Sequence, residues 1–392
     1  MSPTPAVFEA EATAFLAAHT RPRPGRTKGW GQGADRHGLI PDSDRDDPAA
    51  LEAEREWRRT VFDAGFGWLS GPVELGGRGL PHEYEALYRR CEEDFDVPEG
   101  RHLSIGMGMV APTVAAWGDE ALRREVPRAI RRGDLVGCQL FSEPGAGSDL
   151  AALRTAARRT DTGWVVDGQK VWTSEAHWAD VGLLLARTDP EAPKHAGITA
   201  FLVDMHAPGV DVRPLRQITG GASFNEVFLD GVEIPEARRL GPVNAGWQVA
   251  RSTLTVERGS IGRGVGLEVV DSGLLDELVD RLGRGDDPRV RRLLAEIHVR
   301  RRALDATSRR LFAEGAGPEF AMTKLMATET LRRIADLLTE VIGPAFAADG
   351  GEWGTWSWVE WVFGIPGIRF GGGTDEIQRN LLAERVLGMP RT

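Results

Sequence analysis

Three stretches of the chain carry residue types suited to chemistry on a planar or anionic ligand. The first, FSEPGAGSDL (residues 141–150), leaves a β-rich run and passes through Pro144, Gly145 and Gly147. Such a loop lets backbone N–H groups converge on an anion or on the polar edge of a ring, and Ser142 and Ser148 add hydroxyls. On its own it equally fits a glycine-rich hairpin loop. The second, GQKVWTSEAHWADV, places Trp172 and Ser174 on one face of a strand by two-residue alternation. An indole there is a stacking platform for a planar cofactor, with a hydroxyl beside it for a ring nitrogen. The third, RFGGGTDEIQRN (residues 369–380), sets three glycines ahead of a helix start at Thr374 and Asp375. Glycine is used where φ is positive or where something approaches the backbone closely, so this is either a turn between helices or a ligand-facing loop.

The elements that must position these stretches follow from periodicity. From Glu9 to about Arg132 the pattern is helical, as in ALEAEREWRRTVFDAGFGWL, apart from RPRPGRTKGWGQGADRHGLIPDSDRDDP, which reads as an extended surface loop. Between Leu135 and Pro235 the period changes to short Val-, Ile-, Phe- and Thr-rich runs with Asp-Gly turns, the pattern of an antiparallel β-barrel or sandwich. Helical periodicity returns from Gly246 onward. The expected domains are therefore an N-terminal helical domain (1–132), a middle antiparallel β-barrel (133–238) and a C-terminal helical bundle (239–392), an α+β multidomain architecture.

Bulk properties narrow the function classes. The 392 residues are 41% hydrophobic and 27% charged, an ordinary globular composition. A net charge of -10 argues against a nucleic-acid surface, which needs a concentrated basic face. The two cysteines, Cys91 and Cys138, lack ligand-type spacing and fit a reducing cytoplasm, without a disulfide framework or a cysteine-based zinc site. The N-terminus is short, amphipathic and acidic, unlike a signal peptide, and no apolar run is long enough for a membrane span.

The order and spacing of FSEPGAGSDL, GQKVWTS, FNEVFLDGVEIP, GWQVARSTLTVERG and GGGTDEIQRNLLAERVLGMPR resemble the acyl-CoA dehydrogenase flavoprotein family, over nearly the whole chain. The resemblance implies a C-terminal bundle of four helices, with FAD held between barrel and bundle and completed by a neighbouring subunit. It further implies a cytoplasmic oxidoreductase of lipid metabolism. Carried over by position, Phe141 and Ser142 would line the flavin, Trp172 would pack on its ring and Ser174 would reach its N5 region. Ser148 would lie along the pantetheine of coenzyme A, and Arg258 would help bind the acyl-CoA. Thr374 and Glu376 fall where the family's last loop contacts FAD, although glutamine is commoner at the position of Glu376. Its alternative role is a first-turn carboxylate favoured by the helix dipole.

The family reaction removes the α proton of a thioester while the β hydrogen leaves as hydride, which requires a carboxylate and donors on the thioester oxygen. Many members carry that carboxylate as glutamate in the last loop, where this chain has Gly372. The backbone N–H at Gly372 would remain as half of the oxyanion site. Gly371 stands where tyrosine is common, so the acyl pocket would be wider. In a second group of members, including actinobacterial-type ones, the base lies on the first long helix of the bundle, before the arginine that binds coenzyme A. In LTVERGS that residue is Glu257, with no basic residue four places on to pair it.

The usual arginine segment that meets the partner subunit's FAD is replaced by RLGRGDDPRVRRLLAEI, in which Arg284 or Arg289 is the candidate substitute. The implied partners are acyl-CoA, an electron-transfer flavoprotein, and either a second copy (dimer or tetramer) or a paralogous subunit. Two other readings stand beside the dehydrogenase: a flavin-dependent oxidase or monooxygenase of the same fold, which needs no base at Gly372, and a non-catalytic subunit of a heteromeric enzyme.

Overall fold

The computed structural model describes residues 2–23, 47–98, 100–261, 267–271, 273–315, 317–348 and 355–390; side chains at 255–261, 268–269, 312 and 355–357 lie outside the description. Most of the Pro- and Gly-rich stretch expected as a surface loop, residues 24–46, also lies outside it. Packing divides the described chain into two compact units. One holds the residues up to Leu215 and from Ala222 to Thr253; the other holds Arg216–Gly221 and the residues from Leu254 on.

Among the described residues the first unit opens with helices α1 (Pro5–His19), α2 (Pro48–Asp63), α3 (Glu83–Glu93), α4 (Ala111–Trp117) and α5 (Glu120–Arg132). Their ends are written into the sequence. Thr4 and Asp47 accept the N–H groups of Val7 and Ala50, each just ahead of a proline that suits the first helical turn. Asp119 caps α5 in the same way, and α5 stops at Gly133, whose φ of 86° is the left-handed conformation of a helix C-cap. Phe8, Leu16, Val61, Phe66, Leu69, Tyr84 and Leu87 form one apolar cluster among these helices.

The strands are β1 (Gly137–Leu140), β2 (Ala156–Arg159), β3 (Gly163–Ser174), β4 (Val181–Arg187), β5 (Ile198–Asp204), β6 (Val210–Leu215), β7 (Phe224–Pro235) and β8 (Arg239–Leu240). They make one sheet in the order β6-β7-β3-β2-β4-β5-β8, with β1 on β4. Most pairs are antiparallel, as the hairpin cues imply. The exceptions are β1 with β4 and the single Ala156↔Arg187 pairing of β2 with β4, both parallel. The β2–β3 pair intervenes in sequence, so the chain returns to β1 running the same way. Asp180 joins the helices to the sheet: its carboxylate accepts from Arg55 of α2 at 2.9 Å and from the N–H of Val136 at 2.8 Å.

The described residues continue with helices α6 (Gly246–Ile261), α7 (Glu268–Asp271), α8 (Leu274–Arg281), α9 (Pro288–Ala313), α10 (Ala321–Ile342), α11 (Thr355–Phe370) and α12 (Asp375–Leu381). Within the second unit Leu275, Leu278, Val290, Ile297, Leu331, Ile334, Leu338 and Trp358 form the core. Burying such side chains contributes about 1.5–3 kcal/mol each.

Candidate functional site

The 141–148 loop begins where β1 ends. Phe141 is buried and Ser142 half-buried. Glu143 and Ala146 exchange backbone hydrogen bonds of 3.1 and 3.0 Å, closing a turn with Pro144 at its second position. A Cβ added at Gly145 or Gly147 would meet nothing within 4 Å, and neither has positive φ. Neither packing nor backbone strain requires these two glycines, so they leave open space beside the loop.

This loop is anchored by an ion pair the motif does not advertise. Lys170 of β3, 0% exposed, donates to Glu143 at 2.8 Å and to the carbonyl of Phe141 at 3.1 Å. Glu143 also accepts the N–H groups of Arg154 and Thr155. Burial opposes ionisation of Glu143, but the Lys170 ammonium and these donors outweigh it and hold the carboxyl below its ordinary value. Burial pushes the Lys170 amine down to about 8 against the pull of the carboxylate. Next to this pair the N–H of Val171 donates to the carbonyl of Ser142 at 2.9 Å, which lays the loop along the end of β3.

At that end the strand departs from regular alternation. The register shifts between Lys170 and Thr173, so β3 carries one extra residue against β7. Trp172 sits in this bulge with φ of 60°, an outlier for a bulky side chain. It is 58% exposed and touches Phe224 edge-on at 5.8 Å. Ser174, half-buried, flanks the fully buried Thr173, whose hydroxyl has no partner among the described residues. Asn225 donates to the Thr173 carbonyl at 3.0 Å. An indole held in strained backbone with more than half of its surface exposed gains little from burial, which points to a ligand. Ser148, exposed, lies further along the loop.

In the second unit the Gly371–Thr374 loop joins α11 to α12. Gly372 and Gly373 have φ of 64° and 91°, a conformation that accounts for two of the three glycines. Gly371 is not left-handed. Thr374 caps α12 by accepting the N–H of Ile377 at 3.3 Å. Glu376 is an exposed first-turn carboxylate, 3.5 Å from Arg379. Asp375, buried, accepts from Arg369 at 2.8 Å and from Thr328 at 2.9 Å. Burial opposes its ionisation, yet these partners and Lys324 hold its carboxyl below the usual range.

The structure thus brings Phe141, Ser142, Trp172 and Ser174 together in the first unit and Gly371, Gly372, Thr374 and Glu376 together in the second. Glu257 and Arg258 fall on α6, and their side chains lie outside the described residues. Arg284 is engaged locally: it donates to Asp287 at 2.8 Å and to the Glu340 carbonyl at 3.0 Å, while Arg289 pairs with Glu340 at 3.1 Å. Sequence reasoning passed over Lys170, Glu143 and Lys324. The signal for Lys170 was present, because Trp164, Val166 and Lys170 share the inward face of β3 and only one of them is charged.

A helix, sheet and helix chain with an exposed indole beside a loop that has room for a ligand defines the class, and comparison with known proteins gives the family. The acyl-CoA dehydrogenase middle domain matches residues 138–232, and the acyl-CoA dehydrogenase C-terminal domain matches residues 244–387. The chain is 38% identical over 351 residues to acyl-CoA dehydrogenase IpdE1 of Mycobacterium tuberculosis, covering 87% of this chain and 89% of that one. It is 45% identical over 285 residues to acyl-CoA dehydrogenase FadE34 of the same organism, covering 72% of this chain but spanning only 39% of FadE34. A solved structure, the Tcur3481-Tcur3483 steroid ACAD, superposes with a TM-score of 0.76 at 25% identity, covering 100% of this chain and 99% of that one. The chain belongs to the acyl-CoA dehydrogenase family. It is an oxidoreductase of a family that uses FAD, and the exposed Trp172 and the open space at Gly145 and Gly147 fit such a group. No described helix is long and apolar enough to cross a membrane.

Proposed function

We propose that this protein dehydrogenates an acyl-CoA thioester between its α and β carbons and passes the electrons to an electron-transfer flavoprotein. Bound FAD supplies the acceptor for the two electrons and the hydrogen leaving the β carbon. Trp172, Phe141, Ser142 and Ser174 would hold that cofactor, the indole by stacking, and Thr374 and Glu376 would also contribute to its binding. Ser148 and Arg258 hold the coenzyme A portion. Glu257 takes the α proton, and the backbone at Gly372 polarises the thioester carbonyl as it gains enolate character. Gly371 leaves space for a bulky acyl group, a reading supported by the similarity to a steroid enzyme. The domain division at 1–132, 133–238 and 239–392 and a cytoplasmic location belong to the same proposal.

The observation that carries the reading is Trp172, exposed in left-handed backbone beside the anchored 141–148 loop. Anaerobic titration of the flavin-loaded chain with a panel of CoA thioesters, polycyclic ones included, tests it. Bleaching of the flavin by one thioester is the expected result; bleaching by none, with oxygen consumed on addition of NADH, would favour the monooxygenase reading. A second reading, a partner in an unlike-subunit assembly, is favoured by the local engagement of Arg284 and Arg289 with Asp287 and Glu340. Light scattering with flavin content measured per chain separates it from a self-sufficient dimer or tetramer.

A further inference from the structure

Two buried polar side chains hold the glycine loop from behind, and we infer that Lys324 and Gln378 are positioning residues that set its peptide planes for the reaction. This rests on the reading that gives the loop the thioester. Lys324 projects from α10 and is 0% exposed. Its ammonium donates to the carbonyls of Arg369 at 2.8 Å and Gly373 at 2.6 Å, and lies 3.5 Å from Asp375. One charge therefore ties down the chain on both sides of Gly371 and Gly372. Gln378 of α12, 1% exposed, donates through Nε2 to the carbonyl of Gly372 at 2.8 Å and to that of Gly373 at 3.3 Å.

A trans peptide is planar, with its N–H opposite its C=O. Holding the carbonyls of Gly372 and Gly373 on Gln378 and Lys324 fixes the two peptides that follow Gly372, and the Arg369 carbonyl is held on the other side, so the intervening stretch that carries the Gly372 N–H is pinned at both ends. In an extended chain successive carbonyls alternate in direction, and the positive φ of both glycines relaxes that constraint. The glycines and the two side chains form one device: glycine permits the geometry and Lys324 and Gln378 select it. An apolar residue at 324 would pack α10 without desolvating an ammonium, so packing alone does not account for the lysine. Among the described residues the ammonium's partners are the Arg369 carbonyl at the end of α11, the Gly373 carbonyl of the loop, and Asp375, which is itself fixed by Arg369 and Thr328.

The test uses the full-length flavin-loaded protein with Lys324→Met and Gln378→Met, both close to isosteric. Backbone hydrogen exchange across residues 370–376 reports the loop, exchange across 331–338 reports the fold, and stopped-flow reduction by the thioester that bleaches the parent reports chemistry. Loop exchange is expected to quicken by about tenfold or more with α10 unchanged. Reduction is expected to slow by roughly 10–100-fold while KM stays within about threefold, the split expected of lost alignment rather than lost binding. Parental loop exchange in either folded variant, or a loosened loop with parental reduction, overturns the inference. If Lys324→Met fails to fold, Gln378→Met decides alone. A parent that no thioester reduces instead sinks the underlying functional reading, which the exchange measurements register separately.

Discussion

Replacing Trp172 by alanine separates a cofactor platform from a core residue, because the two roles predict losses in different places. With 58% of the residue exposed, roughly two-fifths of an aromatic's ~150–250 Å² is covered, about 60–100 Å². At about 25 cal/mol per Å² this gives a loss of about 1.5–2.5 kcal/mol in the flavin-free protein, below the ~3–5 kcal/mol of a buried tryptophan. Alanine keeps the left-handed strain at φ 60°, whereas glycine releases about 1–2 kcal/mol of it. Trp172→Gly should therefore unfold at nearly the parental urea midpoint. Both variants should lose stacking worth about 1–3 kcal/mol, weakening FAD by roughly 5–150-fold. Urea unfolding of the apo-protein and fluorescence titration with FAD give the two numbers. A loss of ~3–5 kcal/mol in the apo-protein with parental FAD affinity would refute the reasoning.

The buried Glu143–Lys170 pair sets a pH dependence. The folded Glu143 carboxyl lies below its ordinary 4.5, so its contribution is fully present above that value and is lost as pH falls through the folded value; urea midpoints should drop below pH 4.5 and should do so less in Glu143→Gln. Gly373→Ala places a Cβ 2.8 Å from Gln378 Nε2 at φ 91°, and should lower stability by ~2 kcal/mol or more by thermal or urea unfolding. Gly372→Glu, at φ 64°, should cost about 1–2 kcal/mol, yet in a Glu257→Gln background it should restore part of the flavin reduction measured in single turnover.

The helical blocks and most strands were legible because their apolar residues repeat at 3.6 or 2, whereas the caps at Asp47 and Asp119 emerge from the structure. Strand β2, AARR, was not, since it has neither β-branched residues nor an alternating pattern and is held by pairing with β3 and β4. Alternation puts Trp172 on one strand face with Ser174, but the bulge and positive φ that present it arise from pairing with β7, which no local pattern carries. The glycines of the last loop read as room for substrate, whereas left-handed backbone explains Gly372 and Gly373 and leaves the spatial argument to Gly371. Lys170 and Lys324 were hidden because their partners, Glu143 and Asp375, are distant in sequence; only their place on inward faces betrayed them. Glu257 and Arg258 are named from the resemblance of LTVERGS to the family's bundle helix, and their side chains lie outside the described residues.

In the proposed reaction Glu257 removes the α proton. Single-turnover anaerobic reduction of Glu257→Gln by a thioester that reduces the parent tests it most directly, since glutamine keeps the shape and cannot accept the proton. The expected result is an unchanged spectral perturbation on binding and a reduction rate lower by about 10² or more. Reduction at the parental rate would contradict the account.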